Sequence, residues 1–208
     1  MTSKPILLVV IFGIAFSMLS YFWLDESFAE LSMVHKRDHV ATWELITELG
    51  NWTWMLVLVI SIWLAAFSFS KLHSDNPAWQ VRKAQAVIVF FAVAAPGVFV
   101  LLIKGIIGRA RPYMVEDGAA MFFNPFSFEL NFSSWPSGHT STAFAFAMMV
   151  GLLYPRTRWV LFPLAAITGY SRMALGVHYL GDVVMGMIIG TVGAMIIYKW
   201  VAPKLGIK

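Results

Sequence analysis

Apolar positions along the 208-residue chain fall into six long runs, at about residues 5–24, 53–71, 84–104, 137–154, 157–176 and 180–200. Runs of about 20 apolar residues suit helices that cross a hydrocarbon layer about 30 Å thick. The fourth run is short and gains length if its helix begins at Pro136-Ser137-Gly138-His139. The pattern predicts an all-α fold: an integral membrane six-transmembrane-helix bundle forming one domain over residues 1–208. Gly181, Gly186, Gly190 and Gly193 stud the last run, where small residues allow close helix approach. The first run reads as a retained span. A signal peptide would end in small residues, where this chain has Tyr21, Phe22, Trp23 and Leu24.

Composition sharpens that class. Hydrophobic residues make up 59% of the chain and charged ones 12%, about half the share usual for a soluble domain. The net charge of +4 does not point to nucleic acid, because the cations stand at the ends of apolar runs. There they set orientation and meet lipid headgroups. With the N-terminus inside, the inner segments hold Lys4, Lys71, Arg82, Lys83, Arg156, Arg158, Lys199, Lys204 and Lys208. The outer segments hold Lys36, Arg37, Lys104, Arg109, Arg111 and Arg172. That count of nine against six predicts cytoplasmic N- and C-termini. There is no cysteine, so no disulfide and no thiolate metal site.

Two outer segments are long. Residues 25–52 mix acids with Trp43, Ile46, Leu49 and Trp52, as in a helix lying along a membrane surface. Residues 113–135 carry Phe122, Phe123, Phe126, Phe128, Phe132 and Trp135, suited either to interfacial anchoring or to a gate for a lipid.

Three polar clusters fall on the outer side. Lys104 and Arg111 are seven residues apart, so on a continued helix they share a face, roughly 10 Å apart along its axis. Pro112 would end that helix. Arg109 lies well around the helix and reads as a headgroup or solvent contact. In the second cluster, Pro136 suits a first helical turn, and the N–H groups of Ser137, Gly138 and His139 would face an anion. In the third, Asp182 follows His178 by four residues and can reach back to it. A carboxylate on one imidazole nitrogen fixes the tautomer and leaves the other as nucleophile or base. Arg172 offers a planar fork to phosphate oxygens. On the residues alone, either histidine can be the attacking one.

In order and spacing, Lys104-x6-Arg111-Pro112, Pro136-Ser137-Gly138-His139 and Ser171-Arg172-x5-His178-x3-Asp182 resemble the signature of the type-2 phosphatidic acid phosphatase family. This is the membrane branch of a superfamily that includes the vanadium haloperoxidases. The resemblance implies that His178 attacks phosphorus, Asp182 orients it, and His139 protonates the leaving oxygen. It assigns Lys104, Arg111, Ser137, Gly138 and Arg172 to the phosphate oxygens. No cofactor and no metal are expected, because three fixed cations would oppose a divalent ion.

The implied activity is a metal-independent lipid phosphate phosphatase working through a phosphohistidine. Candidate substrates are undecaprenyl pyrophosphate, phosphatidylglycerol phosphate, phosphatidic acid and lipid A 1-phosphate, the first preferred for an outward-facing site. Substrate and membrane lipids are the expected partners, in a bacterial cytoplasmic (inner) membrane with the site facing the periplasm or exterior. A lipid-to-lipid phosphotransferase would use the same residues. A non-enzymatic lipid-binding protein would tolerate His178→Ala.

Overall fold

The computed structural model describes residues 3–73, 76–117 and 122–207. Lys208 and residues 118–121 of the aromatic loop lie outside the described residues, as do the side chains of Lys4, Lys36 and Arg37. Seven helices follow in order: α1 (Ser3–Trp23), α2 (Asp25–Thr47), α3 (Trp52–Leu72), α4 (Pro77–Ile107), α5 (Gly138–Leu153), α6 (Arg158–Ala174) and α7 (Leu180–Val201). Short 3-10 turns fill the joints, and the described residues contain no strand, only one isolated bridge between Arg109 and Phe123.

Local chemistry sets the helix ends. The Asn51 side chain accepts from Thr53 N and caps α3; Asn76 accepts from Ala78 N and caps α4. With Pro77 at its first position, α4 begins seven residues before the apolar run that predicts it. Over residues 25–47 the expected helix is present, bent at His39, whose backbone leaves helical geometry. It packs on α6, with Trp43 edge-on to Tyr170.

Among the described residues, four helices are long and apolar enough to cross a membrane: α1, α3, α4 and α7. The fourth and fifth predicted runs form α5 and α6, of 16 and 17 residues. At 1.5 Å per residue these reach only about 25 Å. Leu7, Leu8 and Phe12 of α1, with Val57, Ile62 and Leu64 of α3, are exposed. Such faces are stable against hydrocarbon and costly in water, so this is a membrane protein.

The bundle is built around α5, which packs on α4, α6 and α7. Its Ala145 and Met149 meet Val59, Ile88, Ala92 and Ala194, while Ala143, Phe144 and Ala147 meet Ala165. Glycine lets α7 approach closely: a Cβ at Gly190 would lie 2.1 Å from the Ser141 carbonyl oxygen, and one at Gly186 2.4 Å from that of Ser137. Gly190→Ala should therefore lower stability by about 1–3 kcal/mol. Thermal unfolding in detergent reads this directly, and an unchanged midpoint would contradict the tight contact. The same approach brings the N-terminal ends of α5 and α7 together, with Ser137 N donating to the Asp182 carbonyl at 3.0 Å.

Candidate active site

Lys104 and Arg111 do converge, but not along a continued helix. Gly108 ends α4 with φ of 63°, and a Cβ there would lie 1.7 Å from the Asn124 carbonyl oxygen. Only glycine fits so close to backbone in a left-handed conformation. The chain then turns back over the helix end, and Pro112 opens a 3-10 turn after the helix is over. Ser133 gathers both cations: Lys104 Nζ donates to its carbonyl at 2.5 Å and Arg111 Nη2 to its hydroxyl at 3.0 Å.

The second cluster opens α5 with a different first residue from the one expected. Pro136 precedes the N-cap Ser137, follows a cis Trp135–Pro136 bond, and lies outside the first turn. The Ser137 N–H is taken by Asp182 O and is not available to an anion. Its buried hydroxyl accepts from Thr140 Oγ1 at 2.9 Å. Gly138 and His139 precede the first helical bond, from Ser141 N to Ser137 O, so their N–H groups lack an intrahelical partner. Lys104 lies beside them, its Cε 4.0 Å from where a Gly138 Cβ would stand.

Between α6 and α7, Gly176 takes φ of 66° and turns the chain, and the N–H of His178 returns to the Arg172 carbonyl at 3.3 Å. Arg172 Nη1 donates to Thr47 Oγ1 at 2.7 Å, which ties the site to the end of α2. His178 and Asp182 are buried side by side, with Nδ1 3.5 Å from Oδ2. This is too long for a hydrogen bond, and Nδ1 makes none. Asp182 is already occupied. Its Oδ1 accepts from Arg109 Nη1 at 2.6 Å, and its Oδ2 from Ser134 Oγ at 2.5 Å and Tyr179 N at 2.9 Å.

Arg109 is the main correction to the sequence reading. It is no headgroup contact: only 3% exposed, it bridges Asp182 and Asp25, the latter at 2.8 Å. Its guanidinium also lies 4.0 Å from the Tyr179 ring centroid and 5.0 Å from that of Tyr21. Thr47, Ser133, Ser134 and Asp25 were not visible as site residues in sequence. Asp25 alone left a trace, as an acid directly after the first apolar run.

The cations divide by partner. Arg109 has two carboxylates; among the described residues Lys104, Arg111 and Arg172 are in no ion pair with one. Burial opposes the charge on Arg109, but Asp182 and then Asp25 outweigh it and raise its pKa. For Arg111, burial prevails and lowers the pKa. At His178 burial, reinforced by Lys104, Arg172, Arg111 and His139, holds the imidazole well below its ordinary pKa. The ring is neutral at pH 7, the form a nucleophile needs.

The model of the PAP2 superfamily matches residues 85–205, spanning all three clusters. This chain belongs to the PAP2 superfamily. It is 35% identical over 154 residues to a lipid A 1-phosphatase of Rhizobium johnstonii, covering 71% of this chain and 62% of that protein. It is 29% identical over 150 residues to a lipid A 4'-phosphatase of Bacteroides thetaiotaomicron, covering 69% and 66%. The chain thus spans a little under two thirds of the length of the first of these relatives. Its fold is that of the crystal structure of a PAP2-type phosphatidylglycerolphosphate phosphatase from Bacillus subtilis, with a TM-score of 0.70 over 96% of both chains at 20% identity.

Beside the cluster, a cavity of about 500 Å³ runs between α1, α4 and α7. Ile14, Phe99, Ile103, Trp135, Ile188 and Val192 line it, all apolar. Of its lining, Ile103 directly precedes Lys104 in the chain, and Trp135 lies between Ser134 and Pro136.

Proposed function

We propose that this protein removes a terminal phosphate from a membrane lipid. The observation that carries this reading is the set of part-buried cations, Lys104, Arg111 and Arg172, without carboxylates beside the neutral His178. Cations crowded in this way repel one another and are stabilised by an anion of high charge density. The buried Nε atoms of Arg111 and Arg172 lack hydrogen-bond partners, which suits a ligand that accepts from them.

In this mechanism His178 Nε2 attacks phosphorus as the bond from phosphorus to the lipid oxygen breaks. The electron pair leaves with that oxygen, which takes a proton from His139. Lys104, Arg111, Arg172 and the Gly138 N–H hold the equatorial oxygens as charge shifts in the transition state. Water then attacks the phosphohistidine, passing its proton to His139. The N–P bond breaks, its electron pair returns to His178, and phosphate leaves. Asp182 compensates the positive charge of the phosphorylated ring. Ser137, whose N–H is taken by Asp182 O while its hydroxyl oxygen accepts from Thr140, keeps its O–H to donate to a phosphate oxygen.

The lipid's chain would occupy the apolar cavity, and the exposed Phe126 and Phe128 would sit at the headgroup level. We place α5 and α6 as the fourth and fifth of six spans, shielded by their neighbours, with both termini cytoplasmic. The site then faces the periplasm of a bacterial inner membrane. We take a lipid A phosphate as the first substrate to test, ahead of undecaprenyl pyrophosphate; the names of the relatives, lipid A 1- and 4'-phosphatase, support that choice.

Phosphate release from a panel of lipid A, undecaprenyl pyrophosphate, phosphatidylglycerol phosphate and phosphatidic acid in detergent tests this reading. Release without an added acceptor is the expected result. Release only when a second lipid accepts the phosphate would make the protein a phosphotransferase. Vanadate should inhibit competitively, since its five-coordinate adduct resembles phosphoryl transfer. EDTA should leave turnover unchanged, and a loss that Mg²⁺ restores would overturn the metal-free mechanism.

A further inference from the structure

We propose that Asp25 and Arg109 are positioning residues of the phosphoryl transfer, setting the place and effective charge of Asp182 behind His178. The inference rests on the phosphohistidine reading above.

Three observations carry it. First, Arg109 uses both arms of its fork, Nη1 on Asp182 Oδ1 at 2.6 Å and Nη2 on Asp25 Oδ2 at 2.8 Å. All three side chains are buried, with exposures of 3%, 0% and 2% for Arg109, Asp182 and Asp25. Secondly, the other oxygen of Asp25 accepts from the backbone N of Gly181 at 3.0 Å and from Ser20 Oγ at 2.5 Å. Asp25 thus grips the first turn of α7 directly as well as through Arg109. Thirdly, Tyr179 and Tyr21 lie against the guanidinium, restricting its plane.

The charges explain why two carboxylates are present. Arg109 and Asp182 alone would form a neutral pair, and the carboxylate would have little field left for the imidazole. Asp25 shares the guanidinium, so the triad carries one net negative charge, facing His178. That charge is needed when phosphorylation makes the ring cationic in a pocket already holding Lys104, Arg111 and Arg172. No carboxylate other than Asp182 stands within ion-pair distance of His178 among the described residues.

Two substitutions separate charge from geometry. Asp25→Asn removes the charge while its amide oxygen can still accept from Gly181 N. Arg109→Lys keeps the charge but replaces the planar fork, whose two nitrogens each hold one carboxylate, with a single ammonium that cannot reproduce that geometry. In the full chain purified in detergent, kcat should fall about 10- to 100-fold in each, with KM changed less than about twofold. The groups facing His178 are Lys104 and Arg111 from α4 and its loop, His139 from α5, Arg172 from α6 and Asp182 from α7. With one anion gone behind Asp182, protonating His178 becomes harder. The acid limb of kcat/KM should therefore move to lower pH in Asp25→Asn and stay in place in Arg109→Lys.

Thermal unfolding confirms that each variant is folded. Unchanged kcat in the folded variants overturns the proposal, as does an equal loss in both with neither acid limb moved, which marks a purely structural tie. Should Asp25→Asn not fold, Arg109→Lys decides alone through kcat against KM. His178→Ala is run alongside: activity there sinks the phosphohistidine reading, whereas a dead His178→Ala beside a fully active Asp25→Asn sinks this inference only.

Discussion

His178→Ala is expected to reduce phosphate release by on the order of 10⁴-fold or more, because in the proposed mechanism it removes the atom that bonds to phosphorus. The loss should not be a folding defect. The wild-type ring is buried and neutral, and its Nδ1 makes no hydrogen bond, so alanine leaves no charge behind and strands no bonded partner on that atom. Unfolding midpoint and detergent elution should stay close to wild type. Brief incubation with a lipid labelled in its phosphate should trap an acid-labile, base-stable adduct on the wild type and none on the variant. An adduct that persists in His178→Ala would move the nucleophile elsewhere, with His139 the first place to look.

Arg111→Met should lose about 10²- to 10³-fold in kcat/KM, as when one charged donor to a transition state is removed. Arg111→Lys should recover little, since an ammonium cannot present two parallel donors to a phosphate. Stability should move the other way. In the protein without ligand Arg111 has no carboxylate partner among the described residues, its pKa is lowered by burial, and Lys104 shares Ser133 with it. Removing one of these crowded cations should leave the unfolding temperature unchanged or raise it, which is the trade expected of a site held open for an anion. Vanadate should raise the midpoint of the wild type and do so less in Arg111→Met. A variant that is both active and destabilised would mean that Arg111 is structural.

The contrast between Arg111 and Arg109 shows where reading the chain residue by residue stops. Both are arginines, two positions apart, in one polar stretch after an apolar run. Arg109 looked peripheral because it falls off the helical face shared by Lys104 and Arg111. That face does not exist, since Gly108 ends the helix first. Nothing local marks Arg109 as an internal tie, because its partners are 84 and 73 residues away. Ser133 and Ser134 were hidden for the same reason: a serine carries no pattern of its own, and theirs comes from the loop folding back over α4.

The chain by itself determined the elements and the chemical inventory. Long apolar runs can satisfy their backbone in a membrane only as helices, so the helical character and order of the six runs are written in local composition. Among the described residues, only four of these helices are long and apolar enough to cross a membrane. The glycines of the last run were legible too, and Gly186 and Gly190 face α5 at distances that admit no Cβ. Motif spacing named the cations, histidines and carboxylate of the candidate site. Only the tertiary structure decided how they meet: which N–H groups of α5 stay free, which oxygen of Asp182 is taken, and that Arg109 belongs behind His178 with Asp25. Those outcomes depend on contacts between distant segments, where a buried charge must find its partner wherever the packing brings one.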